Sequence, residues 1–94
     1  MLDEIKKIQG ITHTDFDTMI NTWIKAGKQD LINIGVKKSL VDTLDTNNPD
    51  SLLSSIVITY VLSQLDVVNA ELYANSYSLQ KDTIRRVQSY QEVN

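Results

Sequence analysis

The chain has 94 residues, three net negative charges, one histidine and no cysteine. A chain this short forms one domain with a modest core, and the missing cysteines exclude a disulfide framework and a thiolate metal site, which fits use in a reducing cytoplasm. The acidic balance argues against a protein whose main task is to grip nucleic acid or an anionic membrane.

The opening MLDEIKKIQG mixes acids with lysines and lacks a long apolar core, so it reads as folded structure and not as a secretory signal. Leu2, Ile5 and Ile8 recur at helical spacing, and Gly10 stands where a left-handed C-cap is wanted, which predicts a short first helix. Thr14 ahead of Asp15 and Asp17 offers a hydroxyl cap and two carboxylates to a first turn whose free N–H groups favour negative charge. A second helix is therefore expected from about Asp15. Its apolar positions Phe16, Ile20, Trp23, Ile24, Leu31 and Ile34 keep to one stripe, and Gly35 supplies the next stop.

Val36 to Asn48 is too polar and irregular for a definite element. It reads as a loop in which Leu40, Val41 and Leu44 could form one helical turn or dock on the core. Asn48 followed by Pro49 is a good helix start, because asparagine caps and proline suits the first helical position. From there Leu52, Leu53, Ile56, Val57, Tyr60, Val61, Leu65, Val68 and Leu72 follow one another at spacings that predict a long central apolar helix over about 49–73.

The middle of that segment, SSIVITYVLSQLDVV, is rich in β-branched residues, yet the pattern is far longer than a strand of about five or six residues. Nor does it cross a membrane, because Ser54, Ser55, Ser63, Gln64 and Asp66 interrupt the run of about twenty apolar residues that a span needs. Ile58 and Leu62 widen the apolar surface beyond a single stripe, so this helix should be buried on several sides, with more apolar surface than one small core covers. The pattern breaks at ANSYS, where Ser78 can cap a last helix with Leu79, Ile84, Val87 and Tyr90, making 77–94 a candidate for a separate docking tail. The expected fold is one all-α domain over 1–94, built from three to four helices.

Chemistry is sparse. His13 alone gives no metal-ligand spacing, and Asp15 and Asp17, two apart on a helix, do not face each other. No phosphate-binding glycine loop, nucleophile motif or calcium loop occurs, so neither an enzyme nor a cofactor is expected. What remains are candidate contact residues. Trp23 on its apolar stripe is either core or an interface anchor, and Ile58 and Leu62 are candidates because they lie outside the main stripe. The tyrosines Tyr60, Tyr73, Tyr77 and Tyr90 all fall in the second half and suit either contact or peripheral packing. Arg85 and Arg86, with Lys81, form a solvated face or recognise an acidic surface on a partner.

The order of these elements, with DFDTMINTWIKAG in the second helix, the entry NPDSL and the segment LLSSIVITYVLSQLD, resembles the small head-tail connector proteins of long-tailed bacteriophages. The resemblance runs from Leu2 to about Tyr90; the tail YANSYSLQKDTIRRVQSY departs from it. It implies a structural protein of the virion neck, made in the host cytoplasm. Copies would form a homo-oligomeric ring beneath the portal, extend the DNA channel without sequence-specific binding, and offer a platform to the next neck or tail component. A small helical regulator that binds a protein partner, or DNA through a helix-turn-helix, is the alternative. For DNA it would need a recognition helix that opens with basic and amide residues, and neither long helix does.

Overall fold

The computed structural model describes residues 1–92, and among them the regular structure is helical: α1 (Leu2–Gln9), α2 (Asp17–Asn33), α3 (Lys38–Asp42), α4 (Ser51–Leu65) and α5 (Ala70–Arg86), with 3-10 turns at Thr43–Asp45 and Gln88–Tyr90. The all-α expectation holds. The number of helices is five, not three to four, because the predicted loop over 36–48 contains α3 and a 3-10 turn that bury Val41 and Leu44.

Both glycine stops act as expected. Gly10 and Gly35 have φ of 69° and 98°, which a side chain tolerates poorly. At each, two backbone N–H groups turn back to orphan carbonyls of the last turn: Ile11 to Lys6 at 2.8 Å and Gly10 to Lys7 at 3.3 Å, then Val36 to Leu31 and Gly35 to Ile32, both at 3.0 Å. The start of α2 differs from expectation. Thr14 does not cap it; Phe16 holds the N-cap position, and Asp17 is held by Lys6 at 2.8 Å, joining the first turn of α2 to α1.

The larger correction concerns the central helix. The predicted helix over 49–73 is two helices, because α4 stops at Leu65 and the chain turns through DVVN before α5 begins at Ala70. Asp66 organises this turn: its carboxylate accepts the Asn69 backbone N–H at 3.1 Å, the Asn69 side chain at 3.2 Å and the Gln9 amide at 3.2 Å. The first of these bonds, then those of the two amides, hold the Asp66 carboxyl below the usual carboxylate range. Conversely, the predicted break at Asn75–Ser78 does not occur. Ser78 lies inside α5, which runs unbroken to Arg86, so residues 77–86 are body and not tail.

Turning at Asp66 lets α5 fold back along α4 as an antiparallel hairpin. Tyr60 meets Tyr77 with ring centroids 5.1 Å apart, and Tyr90 donates its hydroxyl to Asp50 at 2.8 Å, so the end of α5 returns to the beginning of α4. Asp50 also caps α4 by accepting the Leu53 N–H at 2.9 Å. The last described segment is tied down: Lys37 N–H donates to Tyr90 O and Glu92 N–H to Gly35 O, both at 2.8 Å, about a bridge between Val36 and Gln91. Val93 and Asn94, the end of the predicted tail, lie outside the described residues.

The core collects Ile5 from α1, Ile20, Ile24 and Leu31 from α2, Leu53, Ile56, Val57, Val61 and Leu62 from α4, and Tyr77 and Ile84 from α5. The buried positions of α4 go around most of its circumference, and α1, α2 and α5 all pack on it. Its apolar composition is thus largely consumed within the subunit, which answers the expectation that one small core could not cover it.

Candidate assembly surfaces

The expected contact residues fall into two groups. Leu62 and Tyr77 are only 5% and 8% exposed and belong to the subunit's own core, while Trp23, Ile58, Tyr60, Tyr73 and Tyr90 are half-buried and pack against it. Arg85 and Arg86 stand exposed at the end of α5, where their charge also suits the helix dipole. Arg85 approaches Asp82 at 3.8 Å, an exposed pair of little energetic weight.

One polar cluster ties α5 to α2. Asp30 accepts the Tyr77 hydroxyl and, at 2.9 Å, the Lys81 ammonium, which also sits 4.8 Å from the centre of the Tyr77 ring. Burial alone would raise the Asp30 carboxyl, but the bonds from Tyr77 and Lys81 and the nearby charges outweigh it and hold the group below its ordinary value. Tyr77 moves the other way: burial, then its bond to the Asp30 carboxylate, pushes the phenol far above the ordinary tyrosine range. A deprotonated tyrosine is therefore disfavoured here, and the cluster reads as a clamp between helices, not as a proton-transfer site.

Among the described residues no group of three His, Cys, Asp or Glu side chains is placed to hold a metal ion, and no helix is long and apolar enough to cross a membrane. The surface features are apolar. Val67 and Val68, at the elbow between α4 and α5, are 87% and 91% exposed, and Leu72 and Leu79 on α5 are each 68% exposed. On the other side of α4, an open groove against α1 is lined by Glu4, Ile8, Pro49, Ser54, Ile58 and Thr59.

Sequence reasoning missed Val68 and Leu72 as surface residues because they continue the apolar pattern of α4, and it placed Leu79 on the apolar side of a separate last helix. The signal that could have separated them was Asp66 and Asn69, two turn-forming residues three apart.

No curated protein and no solved structure matches the chain. A family model described as phage connector protein matches residues 1–89, nearly the whole chain. With that match joined to an all-helical body that carries uncovered apolar side chains, the chain belongs to the phage connector protein family.

Proposed function

We propose that this protein is a head-tail connector subunit whose copies form a ring beneath the portal, extend the DNA channel and present a platform to the next neck or tail component. The observation that carries the reading is the family match over residues 1–89. Two physical features support it. The subunit leaves Val67, Val68, Leu72 and Leu79 uncovered, which is apolar surface that a neighbouring protein would bury. Its net charge of −3 suits a conduit, because a strongly basic lumen would hold DNA phosphates through counterion release.

In this reading the protein works in the virion neck after synthesis in the host cytoplasm, as a structural component without cofactor. Trp23, Ile58, Tyr60, Tyr73 and Tyr90 contribute only the edges they leave exposed, whereas Leu62 and Tyr77 hold the subunit together. Arg85 and Arg86, exposed at the end of α5, are the part of the proposed docking region that faces outward.

The test is the double variant Val67→Asp, Val68→Asp, assayed for joining of heads to tails in a complemented phage and for capture by the portal protein in native mass spectrometry. Both positions are exposed, so folding should be unchanged while joining and capture are lost. Normal virion yield from a folded double variant would refute the use of this surface. Absence of any portal or neck-protein capture by the unaltered chain would refute the connector assignment itself.

A further inference from the structure

The uncovered apolar surfaces sit on opposite sides of the subunit. Ile58 lines the groove with α1, whereas Tyr60 meets Tyr77 of α5; two residues on a helix of 3.6 per turn are roughly 200° apart. On α5 itself, Tyr77 and Ile84 face inward, and Leu72, Leu79 and Arg86, spaced by seven, form the stripe on the opposite, outward side. A single copy therefore cannot lay this stripe into its own groove. The two surfaces also match in chemistry. The groove has Ile8 and Ile58 as its apolar floor and the exposed carboxylate of Glu4 beside them, near the acidic first turn of α1. The stripe ends in Arg86, at the basic last turn of α5.

We propose that the outward stripe of α5 in one copy docks in the α1–α4 groove of the next, with Leu79 against Ile8 and Ile58 and Arg86 toward Glu4. This inference rests on the oligomeric part of the connector reading and specifies its contact. Such a contact is heterologous: each copy uses two different faces, and repetition closes into a ring when the rotation per copy permits. A stable interface takes about 800 Å² from each partner. Two such faces would take about a quarter of the 5943 Å² surface, which the chain can supply.

The absence of native cysteine makes the test specific. Ile8→Cys and Leu79→Cys, both at exposed positions, are prepared as two single variants and one double variant, then oxidised mildly across a concentration series, alone and with portal protein. The contact predicts that neither single variant cross-links with itself, that their mixture gives a disulfide-linked dimer, and that the double variant gives a ladder of multimers. Addition of Arg86→Glu should lower the yield of the mixed dimer, and Glu4→Arg in the partner should restore it. Self-linking of Leu79→Cys would overturn the proposal in favour of a two-fold contact between α5 helices. No mixed dimer under any condition would also overturn it, including a case in which the portal occupies the stripe. Portal capture is scored separately for each sample, so capture without cross-links rejects this contact alone, and cross-links without capture reject the connector reading alone.

Discussion

Gly27 gives the sharpest test of how the helices pack. It lies in the buried stripe of α2, where a Cβ would stand 3.2 Å from both the Tyr60 ring and a Val57 methyl, closer than ordinary carbon contacts of about 3.5–4.0 Å. Replacing glycine by alanine inside a helix gains about 1 kcal/mol of propensity. The mild crowding of one methyl opposes that gain, so Gly27→Ala should lie within about 1 kcal/mol of the parent. Gly27→Val differs. Its two further carbons must enter the α2–α4 contact, overpacking of this kind costs about 1–3 kcal/mol, and the propensity gain is below about 0.5 kcal/mol. For a domain of this size the melting temperature should fall by roughly 5–15 °C. Val57→Ala removes one of the obstructing side chains. By itself it should cost about 1.5–3 kcal/mol, since Val57 is fully buried. Combined with Gly27→Val it should cost at least about 1 kcal/mol less than the sum of the two. Thermal and urea unfolding followed by circular dichroism reads the parent and all four variants. An unchanged or raised melting temperature for Gly27→Val, or strict additivity in the double variant, would refute the close approach of α2 and α4 at this point.

The remaining predictions concern the clamp, the cap and the two faces of α4. Asp30 titrates below its unfolded value, so its contribution to stability is full above about pH 4 and disappears as pH falls through the lower folded value. Tyr77 has the opposite sign: its contribution is full below about pH 10 and is lost as pH rises above that, so urea midpoints should form a plateau whose alkaline edge flattens in Tyr77→Phe. Asp50→Ala removes both the cap to Leu53 and the acceptor for Tyr90 and should cost about 2 kcal/mol in urea unfolding, whereas Asp50→Asn, which keeps one oxygen to cap Leu53 and turns its amide N–H toward the Tyr90 hydroxyl oxygen, should cost less. Leu62→Asp buries an unpaired charge and should abolish cooperative unfolding, while Ile58→Asp at the half-open groove should keep native helicity by circular dichroism. Equal damage from both would mean that the groove is closed.

What the sequence determined by itself is local. Helical periodicity and the scarcity of glycine and proline established the all-α class, and Gly10 and Gly35 marked the ends of α1 and α2 because only a residue without Cβ adopts their backbone cheaply. The resemblance carried by the second helix and by LLSSIVITYVLSQLD pointed to the family that the match over residues 1–89 shows.

Tertiary structure decided where the long apolar run breaks and which of its residues stay outside. Leu65, Val68 and Leu72 are spaced as if on one continuous helix, but periodicity describes a spacing and not a partner. The turn at Asp66 depends on Asn69 and on Gln9, which is 57 residues away in sequence, and that long-range bond leaves no local trace. Once α5 folds back, Leu62 and Tyr77 become core, while Val68, Leu72 and Leu79 become surface. The same hydrophobic side chain is core or contact according to what lies across from it, and only the packed chain supplies the answer.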